Sequence, residues 1–260
     1  MALMALIRNA LVNARKYVPP NVKLVELFGY TLGGFYLARY TDSPAGAFDE
    51  LVVLGGLAWN RPTSCAWAAR VYVNNRHART HGLTHCGLPS RLASFKATPN
   101  NDATVMMRGG SKWGGTWWNT DEEIPPQAVV VRNRERWLWF FNSRNGLRMP
   151  VCTFNFNNAK KGAKGPRIKM YLPSYSGCTP HVRDMLKYSL ELRTNVSLVR
   201  PVQLTLPPGE EDKENREMLT AVLCGKPLVA LSFNDMEMNV EAPEVVVRQG
   251  PKPSTPNQKL

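Results

Sequence analysis

Tyr30-Thr-Leu-Gly-Gly-Phe-Tyr-Leu-Ala-Arg-Tyr40, then Thr41-Asp-Ser-Pro-Ala-Gly-Ala47, then Phe48-Asp-Glu-Leu-Val-Val-Leu-Gly-Gly-Leu-Ala-Trp59: these thirty residues decide the fold. Thr31 to Tyr40 and Phe48 to Trp59 are rich in apolar, aromatic and β-branched residues, and Asp42-Ser-Pro-Ala-Gly46 between them has turn chemistry. The pattern predicts a β-hairpin. Each arm carries a Gly-Gly pair, Gly33-Gly34 and Gly55-Gly56. Glycines inside a strand mark a bulge or a sharp coil where a sheet closes on itself. Further strands are expected at Val22–Leu27, Trp67–Val73, Ala128–Arg132, Arg136–Phe141, Pro150–Phe156 and Arg167–Leu172, and again at Val182–Thr194, Val196–Leu206 and Pro227–Met238. Asn74 to Gly82 fits a short helix or a loop, and Arg216 to Cys224 a short helix. Many strands punctuated by Gly and Pro predict a closed or cone-shaped, mostly antiparallel barrel.

The chain has 260 residues and 43% hydrophobic composition, enough for a substantial core, and no apolar stretch long enough for a transmembrane helix. One domain is expected over residues 1–248, with a polar, Pro-rich, disordered tail over 249–260. Two stretches read as loops: Asn100 to Pro126, which holds Trp113, Trp117 and Trp118, and Pro207 to Asn215. The net charge is +13. The densest basic run, Lys160, Lys161, Lys164, Arg167 and Lys169, reads as a solvated loop. Trp137 and Trp139 alternate like strand residues rather than like a base-stacking platform, and no nucleic-acid-binding motif is present, so nucleic acid is not expected as a partner. Cys65, Cys86, Cys152, Cys178 and Cys224 are odd in number and form no CxxC, which predicts buried, reduced thiols inside the cell. In the first twenty residues Leu3, Leu6, Ile7 and Leu11 recur at helical spacing beside Arg8, Arg15 and Lys16. A helix of the fold is expected there; an organelle-targeting segment is the alternative.

Three blocks, in order, resemble the acetoacetate decarboxylase superfamily: Tyr30 to Leu54; Val71 to Leu92; and Met170 to Val247, which holds Leu172-Pro-Ser-Tyr-Ser-Gly177, then three strands and a final apolar strand leading to Ala242-Pro-Glu-Val245. The resemblance implies an α+β fold, a mostly antiparallel cone-shaped β-barrel with few short helices. It also implies that a short helix ending near Val18-Pro19 belongs to the fold, and that a further segment precedes it in the family. A closer resemblance lies within the superfamily. Val25-Glu-Leu-Phe-Gly-Tyr-Thr-Leu-Gly-Gly-Phe35 and Trp59-Asn-Arg-Pro-Thr-Ser-Cys-Ala-Trp-Ala-Ala-Arg-Val71 look like the neoxanthin-deficient proteins of plants and algae. This implies a role in forming the xanthophyll neoxanthin, in the chloroplast with the cytoplasm as alternative, and a xanthophyll or an enzyme of xanthophyll synthesis as partner. No cofactor is expected, and a homo-oligomer is left open.

Gly87-Leu-Pro-Ser-Arg-Leu92 departs from the superfamily's Gly-x-Pro-Lys-Lys-Leu, whose first lysine forms a Schiff base. Ser90 stands at that lysine's position and cannot form an imine; Arg91 stands at the second and stays protonated. Acetoacetate decarboxylation is therefore not expected. Glu50 matches an active-site carboxylate of the superfamily and sits on an apolar strand, where a lone carboxylate is costly. Two readings stand: an acid, base or orienting group at the cavity floor, or a structural carboxylate paired with Arg39 across the hairpin. Arg91 holds the polar end of a ligand, or pairs with Glu50. Trp59 and Trp67 line an apolar cavity or pack a core. His77, His81 and His85, with Cys86 beside the last, recur at helical spacing, yet Gly82 and Gly87-Leu-Pro89 interrupt the helix, and no metal site is expected. The alternative function is a lyase or isomerase acting on a small carbonyl or acid through Glu50 and Arg91 without an imine.

Overall fold

The computed structural model describes residues 2–98, 128–133, 150–156, 165–200, 202–206 and 213–247. The expected strand Arg136–Phe141, the Asn100–Pro126 loop with its tryptophans, Lys160, Lys161 and Lys164, most of the 207–215 turn and the 249–260 tail lie outside the described residues.

The quoted hairpin forms as expected. Strand β2 (Tyr30–Tyr40) pairs antiparallel with β3 (Phe48–Asn60), from Gly34↔Leu54 to Tyr40↔Phe48. β3 pairs with β4 (Thr63–Val73), and β2 pairs on its other side with β1 (Ala2–Ala10). β1 then pairs with β11 (Lys226–Val240), β11 with β9 (Met185–Val199), and β9 with β8 (Arg167–Gly177). A short parallel contact, Ala66↔Ser174 and Trp67↔Tyr175, joins β8 back to β4. The ring β4–β3–β2–β1–β11–β9–β8 is thereby closed into a seven-stranded barrel. Gly34 makes the closure possible. It adopts φ +138°, and a Cβ there would lie on the Ala5 carbonyl of β1.

A second layer grows from β4. Strand β5 (Ser90–Thr98) runs parallel to it, followed by antiparallel β6 (Ala128–Asn133), β7 (Pro150–Asn155) and β10 (Gln203–Thr205). This layer and helix α3 (Lys213–Leu223) cover the barrel's outer face in the main core, with Phe35, Leu37, Leu51 and Val53 packed against Phe95, Val131, Phe154, Met218 and Val222. The Phe35 and Phe154 rings meet at 4.7 Å. Short β12 (Glu244–Val247) pairs with β9.

A different cluster lies on the barrel's inner face. Met4, Tyr36, Tyr40, Val52, Met170, Val196, Phe233, Met236 and Met238 come from β1, β2, β3, β8, β9 and β11. Strands that are not neighbours in the sheet meet this way only across the inside of a closed barrel.

Residues 2–10 form a strand, not the expected helix. Their spacing also fits alternation: Leu3, Ala5 and Ile7 all reach the main core. Pairing on both sides, to β2 and β11, outweighs any local helical preference. The short helix that ends before Val18-Pro19 is present as α1 (Leu11–Ala14) and a 3-10 turn, Arg15–Tyr17. Val22–Leu27 makes only isolated bridges, Leu24↔Ala58 and Leu27↔Tyr30. Arg167 and Lys169 sit on β8 rather than in a loop, with ion pairs to Glu237 at 2.7 Å and Glu191 at 2.9 Å. All five cysteines are free; Cys65 and Cys152 are buried, whereas Cys224 is exposed.

Candidate functional site: a carboxyl–tyrosine cluster inside the barrel

In an antiparallel pair, directly opposed residues share a face and each neighbour along the strand points the other way. Glu50 opposes Ala38 on β2 and Val73 on β4. It therefore shares the lumen face with Tyr36, Tyr40, Val52, Val71 and Val73. The Tyr40 hydroxyl donates to Glu50 Oε2 at 3.0 Å and also lies 3.8 Å from Met238 Sδ. Tyr36 donates to Met236 Sδ at 3.2 Å, and its hydroxyl interacts with that of Tyr40. Tyr188 on β9 opposes Ser174 of β8, and burial together with the charges of Cys86 and Glu50 raises its hydroxyl.

Burial pushes the Glu50 carboxyl up to about 7, and the hydrogen bond from Tyr40 holds it back from going higher. Protein surrounds the carboxyl closely, yet Glu50, Tyr40 and Tyr188 all keep some accessible surface. A carboxyl that is half ionised near neutral pH suits proton transfer in either direction. Burial raises Tyr36 and Tyr40 as well, so both stay neutral hydroxyls.

Ser90 opens β5 opposite Val71, which places it on the lumen face with Glu50. It is 4% exposed, and helix α2 (Arg76–Thr84) lies over it: a Cβ on Gly82 would come within 2.6 Å of Ser90 Oγ. Arg91, one residue on, opposes Tyr72 and faces outward into the layer between barrel and outer sheet. There Tyr72 donates to Asn215 Oδ1 at 2.5 Å. Burial raises the Tyr72 hydroxyl, and the charges of Arg70 and Arg91 oppose the rise. Arg91 and Glu50 thus lie on opposite faces of the sheet, and the structure does not bring them together.

Arg39 also faces outward. Its register partner is Asp49, which it meets at 3.0 Å. Asn74 Nδ2 donates to the other Asp49 oxygen at 2.7 Å. The carboxylate across the hairpin from Arg39 is Asp49, and Glu50, one residue further, takes Tyr40. Trp67 is 5% exposed and packs with Val18, Leu24 and Tyr175 outside the lumen, its Nε1 donating to the Tyr17 carbonyl at 3.1 Å. Trp59 is 41% exposed at the end of β3. Neither tryptophan joins the Glu50 cluster.

Asn75 caps α2 by accepting from the His77 and Ala78 N–H groups. His81 and His85 contact each other at 5.1 Å, and Cys86 Sγ lies 3.6 Å from His81 Nδ1. Among the described residues no three His, Cys, Asp or Glu side chains converge. Sequence reasoning missed Tyr36, Tyr40, Tyr188, Met236 and Met238. For the two on β2 a signal exists: Tyr36 and Tyr40 lie four apart on the strand that carries the hairpin, hence on one face.

No family model matches the chain. It is 39% identical over 268 residues to Protein NEOXANTHIN-DEFICIENT 1 of Solanum lycopersicum, spanning 90% of this chain and 86% of the relative. With the protein of the same name from Arabidopsis thaliana it shares 40% identity over 253 residues, again 90% and 86% of the two chains. The chain belongs to the NEOXANTHIN-DEFICIENT 1 family. Among solved structures it is similar to the acetoacetate decarboxylase of Legionella pneumophila, with a TM-score of 0.54 over 95% of this chain and 84% of that one, at 12% identity. It is also similar to the enduracididine biosynthesis enzyme MppR, with a TM-score of 0.51 over 95% and 85% at 12% identity. At such identities the shared property is the fold. This chain therefore has the acetoacetate decarboxylase-like barrel, with serine at position 90.

Proposed function

We propose that this chain serves neoxanthin formation, and that its lumen receives an oxygen-bearing end ring of a xanthophyll at the Glu50–Tyr40 pair. The first half rests on the name of its relatives. The second rests on one observation: a carboxyl near neutrality, hydrogen-bonded to a neutral tyrosine, inside a barrel walled by methionine, phenylalanine and valine. A xanthophyll is a long apolar polyene with oxygen functions on its end rings. Methionine walls adapt to such a shape, and a few placed polar groups orient it. Glu50 would give or take a proton at the ring oxygen or a neighbouring carbon, and Tyr40 would hold that oxygen. Ser90 forms no imine, so the chemistry proceeds without a covalent link to an amine. The site we place in the plastid, as the resemblance of the sequence implies.

Purified protein is incubated with violaxanthin and with neoxanthin, and both the free pigments and the protein-bound fraction are chromatographed. New neoxanthin, lost in Glu50→Gln, supports catalysis in the lumen. Pigment bound but unchanged makes the chain a carrier, and no pigment bound sinks the lumen reading. The small-acid alternative needs Arg91 beside Glu50, and their opposite faces leave it without a site.

A further inference from the structure

The barrel end where β1 finishes and β2 starts carries Phe28 at 90%, Val12 at 70% and Leu27 at 68% exposed, the first two being the most exposed large apolar side chains among the described residues. Leu27 and Tyr30 exchange both backbone hydrogen bonds, at 2.9 and 3.0 Å, around a two-residue turn. Phe28 (φ 50°) and Gly29 (φ 76°) are both left-handed there. Asn or Gly is the relaxed choice at such a position, and a bulky aromatic is unfavourable. The turn spends this strain to hold an aromatic ring at its tip, where no described residue buries it. Val12 stands alongside, because the Leu11 N–H donates to the Gly29 carbonyl at 2.9 Å.

Cations flank the tip. Arg8 lies 4.5 Å from the centre of the Tyr30 ring. Lys16 follows Val12 by one turn, and Lys23 is exposed; Glu26 is the one acid in residues 8–30. Trp59, at the same end of the barrel because β2 and β3 run antiparallel, is half exposed with Arg61 at 5.8 Å.

We infer that this end of the barrel inserts into the surface of an anionic lipid bilayer, with Phe28 and Leu27 entering the headgroup–acyl boundary and Arg8, Lys16 and Lys23 on the lipid phosphates. The shape favours a bilayer over a protein partner. A specific protein interface needs roughly 800 Å² per partner, and a projecting two-residue tip offers no such face. Aromatic and aliphatic tips ringed by Lys and Arg are what the membrane interface accepts. No helix of the described residues is long and apolar enough to cross a membrane. The inference stands independently of the function proposed for the lumen.

Co-sedimentation of the full chain tests it, with vesicles of phosphatidylcholine alone and of an equal mixture with phosphatidylglycerol. Wild type should pellet with the mixed vesicles and less with the neutral ones. Phe28→Gly keeps the turn's backbone, so its melting temperature should equal or exceed wild type while vesicle affinity falls about tenfold. Lys23→Glu should weaken binding to the mixed vesicles only. A wild-type chain that ignores both vesicles, whatever protein it captures, overturns the inference. So does a folded Phe28→Gly that pellets like wild type, since binding would then be charge attraction without insertion.

Discussion

Glu50 pays for its position with a pH-dependent penalty. Its carboxyl titrates at about 7 in the folded chain against 4.5 for the ordinary group, so the native state holds a proton that the unfolded state has already released. Stability is unaffected below about 4.5, falls as pH rises through the window to 7, and carries the full penalty above it. Glu50→Gln removes the ionisation while keeping the shape. The variant should be more stable than wild type by about 1–3 kcal/mol at pH 8, with the gap closing towards pH 5. Denaturant melts at a series of pH values read this directly; a constant gap across the range would mean the carboxyl does not titrate in that window. Tyr40→Phe removes the bond that restrains the carboxyl, so the midpoint of Glu50 should move up, visible in its infrared carboxyl band. Asp49 shows the contrast. It is 3% exposed and held by Arg39 and Asn74, and Asp49→Ala should cost about 3 kcal/mol by stripping a partner from a buried ion pair.

At the scale of elements, the hairpin at the heart of the barrel was legible because alternation, turn residues and paired glycines all agree. Strands β2, β3 and β4 fall close to where the pattern puts them, as do β6 and β7. The carboxylate on β3 was legible too, but its partner was not. Sequence places Arg39 near the turn; only the actual register, Ala38↔Glu50, shows that Arg39 and Glu50 point to opposite faces. The same one-residue alternation sends Arg91 outward and leaves Ser90 inside. The lumen's Tyr188, Met236 and Met238 come from β9 and β11, far along the chain, and no local signal ties them to Glu50. β1 misled because Leu3, Leu6 and Ile7 satisfy a helical spacing, while Leu3, Ala5 and Ile7 satisfy a strand; tertiary pairing decides. Its closure on β2 gives a sharp expectation. Gly34→Ala would set a Cβ against the Ala5 carbonyl at a left-handed φ, and should destabilise the barrel by about 3 kcal/mol or more. Thermal melts of the variant check it, and a loss under about 1 kcal/mol would mean that β1 shifts freely against β2.

For the whole molecule, the two ends of the barrel have different chemistry. β2 runs from Tyr30 beside the exposed Phe28 tip to Tyr40 in the Glu50 cluster, and β3 runs back from Glu50 to Trp59. About nine residues at roughly 3.3 Å each separate Glu50 from Trp59, so the two ends stand about 30 Å apart. Substitutions that far apart with no shared partner act independently. The two proposals therefore predict a clean dissection. Phe28→Gly should lose vesicle binding yet still bind pigment delivered in detergent. Glu50→Gln should pellet with vesicles as wild type does, yet lose the pigment chemistry. In a neoxanthin-deficient host both variants should restore less pigment than wild type, for different reasons, and only Phe28→Gly should be rescued by fusing a lipid-binding domain to the chain. Rescue of Glu50→Gln by the same fusion would mean that the lumen carboxyl matters only through membrane attachment. Loss of vesicle binding in a stably folded Glu50→Gln would mean that the two ends are coupled through the barrel, and that the lumen's methionine-rich wall transmits between them.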